Sequence, residues 1–103
     1  YLKSKTMKAI MIIYNQALTE KVEYMLDALK ISGFTQWTDM KGRGTTDGNP
    51  HMGTHTWPEI NSAILTIVDD DIVDTVLQKV KNIDHINTEV GIRAFVWDIT
   101  KTV

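Results

Sequence analysis

Met7-Lys8-Ala9-Ile10-Met11-Ile12-Ile13-Tyr14 is short, isoleucine-rich and apolar at both odd and even positions. Strand geometry sends successive side chains to opposite faces, so this stretch expects cover on both sides, as a central strand of a sheet does. It also fixes the scale of what surrounds it. Asn15, Gln16 and Ala17 read as a turn. Thr19 reads as the cap of a following helix and Glu20 suits its positive N-terminal end. Val22, Met25, Leu26 and Leu29 then recur at i, i+3, i+4 and i+7, one helical stripe. Gly33 is the expected helix stop.

Residues 34–41 (FTQWTDMK) alternate around Phe, Thr and Trp and read as a second strand. Residues 60–68 (INSAILTIV) read as a third. Asp69, Asp70 and Asp71 place caps and negative charge at the start of a second helix, whose stripe is Ile72, Val73, Val76, Leu77 and Val80. A cation-binding carboxylate cluster is the competing reading of these aspartates. Residues 82–91 read as a polar connection and 92–99 (IRAFVWDI) as the last strand.

The order β-α-β-β-α-β is the split pattern of ferredoxin-like α+β folds, a four-stranded antiparallel sheet with two helices on one face. The first strand offers Ala9, Met11 and Ile13 on one face against Ile10, Ile12 and Tyr14 on the other. The third opposes Ala63, Leu65 and Ile67 to Ile64, Thr66 and Val68; the last opposes Ala94 and Val96 to Phe95 and Trp97. Two helices cover only one of these faces. The remaining apolar face marks an interface, so a closed homo-oligomer is expected. Trp37 and Trp97 are expected to be packing residues.

With 103 residues the chain is one domain. Its apolar share of 43% and charged share of 23% are those of ordinary globular chains. It has no cysteine, which excludes disulfides and thiolate chemistry. A net charge of −2 gives no basic footprint for nucleic acid. No apolar run is long enough to span a bilayer. Residues 1–6 (YLKSKT) read as a leader or tail before the domain at 7–103, and the protein is expected in the cytoplasm.

The aperiodic stretch 42–59 (GRGTTDGNPHMGTHTWPE) carries four of the six glycines and both prolines. A loop this long in a small domain is a functional candidate. Gly42-Arg43-Gly44 joins backbone amides to a guanidinium, a set suited to an anion; a hinge of turn residues is the plainer reading. His51 and His55, with Glu59, are ligand types for a divalent transition metal such as zinc or copper. Exposed loop histidines are the plainer alternative. No nucleophile stands in a recognisable triad, so an enzyme is not expected.

Several segments in order resemble the PII signal-transduction proteins and their PII-like relatives. They are Met7-Lys8-Ala9-Ile10, the run from Gly33 to Gly44, Asp70-Asp71-Ile72-Val73-Asp74, and Arg93-Ala94-Phe95-Val96. The resemblance implies a trimeric sensor of the nitrogen-regulation type. An adenine nucleotide (ATP, ADP or AMP) would lie in clefts between subunits, with Thr35 near the adenine and Gly42, Arg43, Gly44 and Arg93 at the phosphates. Loop 45–58 would be a shortened T-loop that signals to a partner such as a membrane transporter or an enzyme. After Gly44 the family has Arg-Gln, where this chain has Thr45-Thr46. The alternative frame is a divalent-metal-binding trimer comparable to CutA-type copper-tolerance proteins, using the loop histidines.

Overall fold

The computed structural model describes residues 6–42 and 59–103. Four strands are present: β1 (Met7–Asn15), β2 (Thr35–Gly42), β3 (Glu59–Asp69) and β4 (Ile92–Asp98). Two helices, α1 (Thr19–Ala28) and α2 (Val73–Ile86), follow β1 and β3. Each helix is entered through a 3-10 turn, Gln16–Leu18 and Asp70–Ile72. The sheet order is β2-β3-β1-β4 and every pairing is antiparallel. This is the expected ferredoxin-like arrangement, with β1 at the centre.

The register settles which face the helices take. Ile10 and Ile12 of β1 pair with Thr66 and Ile64 of β3, and with Val96 and Ala94 of β4. Ile10, Ile12, Tyr14 and Ile64 are essentially inaccessible to water, as are Leu18, Val22 and Leu26 from the α1 side and Val76 from α2. Full burial of each such side chain contributes roughly 1.5–3 kcal/mol against exposure. Tyr14 is the polar exception: its buried hydroxyl accepts a hydrogen bond from Gln36 Nε2 at 2.8 Å. Thr66, also buried, donates from its hydroxyl to the Gly33 carbonyl at 2.7 Å. At the end of the sheet away from residues 42–59, the Lys8 ammonium donates to the Asp98 carboxylate. That bond holds the Lys8 pKa above its ordinary value, so the lysine's part in the pair is lost as pH rises through that raised value.

Three local expectations are corrected. Thr19 is inside the helix. Asn15 does the capping instead, its Oδ1 accepting from the Ala17 amide at 2.9 Å, while the Thr19 hydroxyl donates back to the Gln16 carbonyl. The first helix stops well before Gly33, at a left-handed Lys30 with φ 60°. Here the Lys30 amide bonds the Asp27 carbonyl and the Ile31 amide the Leu26 carbonyl. This is a Schellman closure, and its hydrophobic partner Ile31 is buried in the core. The second helix runs on to Ile86, because Ile83 continues the stripe of Val76 and Val80 onto the core. Asn87 then ends it, its backbone amide and its side-chain Nδ2 both donating to the Ile83 carbonyl.

β2 carries an irregularity. Trp37 pairs with Ala63 and Met40 with Asn61, so Thr38 and Asp39 together oppose Ser62. Asp39 lies at φ 57°, the left-handed conformation of a bulge.

Lys30→Gly is expected to stabilise the fold by about 0.5 kcal/mol. Relief of a left-handed side chain worth about 1–2 kcal/mol outweighs the glycine entropy cost of about 0.5–1. Urea unfolding midpoints measure the difference. Tyr14→Phe is expected to cost about 1 kcal/mol in the same assay, since it strips Gln36 of its partner.

Candidate functional site

The second face of the sheet is uncovered. Met11 and Ile13 of β1, Leu65 and Ile67 of β3, Phe95 and Trp97 of β4, and Trp37 and Met40 of β2 all lie on it. Phe95 is 51% exposed, Trp97 46% and Trp37 43%. The two tryptophans are therefore surface residues of the single chain, not core residues. Alternation puts them opposite the helices, and among the described residues nothing covers that side. Contiguous exposed apolar residues of this kind are the mark of an interaction surface.

The anion candidates divide between the two edges of the same face. Thr35 begins β2, pairs with Leu65 and is exposed. Arg93 near the start of β4 pairs with Ile13 and is exposed. β2 and β4 are the two edge strands, three strand spacings apart. At about 4.8 Å per spacing, Thr35 and Arg93 stand roughly 14 Å apart across the sheet. One copy does not bring them to one ligand. Gly42 ends β2, opposite Glu59. Arg43, Gly44, His51, His55 and the whole span 45–58 lie outside the described residues, and so do residues 1–5. Of Glu59 only the backbone is described. Among the described residues, no group of three or more His, Asp or Glu is gathered to hold a metal. That includes the Asp69–Asp71 run, whose Asp70 and Asp71 lie in the first turn of the 3-10 entry to α2.

Asn61 was not a candidate from sequence. A Cβ added to Gly42 would lie 2.6 Å from Asn61 Nδ2. The glycine therefore leaves room for the Asn61 carboxamide at the base of the 43–58 segment. The only sequence signal was a polar pair, Asn61-Ser62, near the head of a mostly apolar strand. Two depressions lie among the described residues. A groove of about 510 Å³ lies between the outer sides of α1 and α2, bounded by Tyr24, Ile83 and Ile86. A cleft of about 400 Å³ runs beside the end of β3, against the turn that follows α1.

Comparison with known proteins decides the family. The model of the nitrogen regulatory protein P-II family matches residues 7–103. The chain belongs to that family. Among solved structures, the PII-like protein CPII from Thiomonas intermedia K12, bound to ADP, AMP and bicarbonate, superposes with a TM-score of 0.67 at 15% identity. That match covers 95% of this chain and 97% of CPII. The ADP, AMP and acetate complex of CPII gives 0.68 at 18% identity, over 97% and 94% of the two chains. The B. subtilis GlnK–ATP complex gives 0.69 at 19% identity, over 97% and 89%. No curated protein matches the chain. At these identities the structural likeness establishes the fold. Among the described residues, no helix is long and apolar enough to cross a membrane.

Gly42→Ala is expected to cost less than about 1 kcal/mol, since a flexible side-chain end can yield to the new methyl group. It is also expected to move the Asn61 side-chain amide resonances. Unchanged Asn61 resonances would show that the two residues are not in contact.

Proposed function

We propose that this P-II family member is a regulatory protein without catalytic activity, which binds an adenine nucleotide between neighbouring copies of itself in a homotrimer. The placement of Thr35 and Arg93 on opposite edges of one apolar sheet face carries this reading. In a closed ring, the β2 edge of one copy meets the β4 edge of the next, since such interfaces are heterologous. Two half-sites separated by the width of a sheet then become one cleft. Thr35, Gly42, Arg43 and Gly44 come from one wall, and Arg93 from the other. Ligands named for CPII and GlnK support the choice of an adenine nucleotide. Arg93 supplies a bidentate cation for phosphate oxygens. Gly42 and Gly44 let backbone amides approach the same anion.

Burying the open faces at the axis gives the exposed aromatics cover. The assembly would work in the cytoplasm, in nitrogen regulation. Loop 45–58, rooted at Gly42 and Glu59, is the segment through which ligand state reaches a protein partner such as a transporter or an enzyme.

Titration calorimetry with ATP, ADP and AMP tests the ligand. At least one is expected to give saturable heat, and Arg93→Ala is expected to weaken it tenfold or more, the loss of about 1.5–3 kcal/mol for hydrogen bonds to a charged group. Absence of heat with all three nucleotides rejects the site. Sedimentation tests the assembly: a mass of three chains is expected, falling to one in Trp97→Glu, which puts a charge into the apolar face.

A further inference from the structure

From Ser32 to Trp37 every residue is exposed except Gln36, which is half-buried. β2 is an edge strand, so this stretch is paired on one side only. Its pairs are Thr35/Leu65, Gln36/Ile64 and Trp37/Ala63, after which the bulge interrupts the ladder. A strand end held by three pairs stands at the low end of local stability. Two side-chain bonds reach it from the core. The buried Thr66 hydroxyl donates to the Gly33 carbonyl at 2.7 Å. Gln36 Nε2 donates to the buried Tyr14 hydroxyl at 2.8 Å. The first falls two residues before Thr35 and the second one residue after it. Along their own strand faces, Tyr14 and Thr66 stand beside Ile12, Ile64 and Val68, all buried. A hydroxyl buried among such side chains costs stability unless it is bonded. Both of these hydroxyls make their bond to the same exposed segment.

We infer that Tyr14 and Thr66 are positioning residues, which fix the backbone around Thr35 for the nucleotide without touching it. The inference rests on the nucleotide reading of the Thr35 cleft proposed above. Thr35 shares the open face of the sheet with its pairing partner Leu65, whereas Tyr14 and Thr66 belong to the face under the helices. The sheet itself separates the two hydroxyls from a ligand at Thr35. Their effect passes through the chain from Gly33 to Gln36. Ordering a backbone on binding weakens affinity by the entropy lost. Here that entropy is already lost in the free protein, because the segment is tied down on both sides of Thr35 before a ligand arrives. Neither bond needs the second copy, so half of the cleft is prepared within the single chain.

Calorimetry with ATP, ADP and AMP on the full chain, beside sedimentation and urea unfolding, tests this. Tyr14→Phe leaves the Gln36 carboxamide without its partner, and Thr66→Val leaves the Gly33 carbonyl without its donor. Both variants keep the size and shape of the side chain. Each is expected to keep the mass of the unaltered protein and to bind the nucleotide about fivefold or more weakly, the effect of fixing one residue's backbone on binding. In the ligand-free protein the Thr35 amide, read by NMR, is expected to exchange about tenfold faster in either variant. Val80→Ala opens a cavity in α2; it is expected to lower the urea midpoint and leave affinity within about twofold. An affinity unchanged in one variant removes that residue from the assignment. Affinity unchanged in both overturns the inference and leaves the nucleotide reading standing. Equal weakening in Val80→Ala also overturns it, since the loss then follows stability alone. No saturable heat with any of the three nucleotides in the unaltered chain rejects the reading and the inference together.

Discussion

The fold hangs on β1 being apolar on both faces. Ile10, Ile12 and Tyr14 on one side and Met11 and Ile13 on the other demand cover, and among the described residues the two helices supply it on the first side alone. Placing the strand between β3 and β4 satisfies its backbone on both edges. Two helices then satisfy one face. The other face stays an unmet demand inside the single copy, and the functional reading follows from it. A sheet with a second apolar face calls for association, and the proposed ring would bring together the edges that carry Thr35 and Arg93.

The order of elements was legible because each period was clean. Val22, Met25 and Leu26 hold the helical spacing, and the β3 residues alternate without a break. The choice of face was not legible, since Ile10/Ile12 and Met11/Ile13 are equally apolar and periodicity cannot rank them. Helix ends were the weakest point. Gly33 looked like the stop on intrinsic preference, yet the closure falls at Lys30, because burial of Ile31 against Leu26 outweighs a left-handed lysine. Asn82 made the next stretch look like a loop and hid Ile83, which carries the stripe one more turn.

The candidate site was named from residue types alone; the structure places Thr35, Gly42 and Arg93, while Arg43 and Gly44 lie outside the described residues. A glycine pair beside arginine, and a basic residue at the head of the last strand, are chemical signals that survive in one dimension. That Thr35 and Arg93 sit a sheet's width apart is a property of strand order, which composition does not carry. The close approach of Asn61 to Gly42 is likewise a matter of packing.

The bulge at Thr38 and Asp39 bears on how such a protein can diversify. Pairing on the Thr35–Trp37 side is anchored to Leu65, Ile64 and Ala63, while pairing beyond the bulge is set separately by Met40, Lys41 and Gly42. The irregularity decouples the two halves of the ladder. Residues can be gained or lost beyond Gly42 without flipping Trp37 off its face, because the slack is taken up before the shift reaches the centre. A strand built this way is a mounting bracket: its inner half belongs to the frame, and its outer half can be refitted to whatever segment evolution or a designer attaches there.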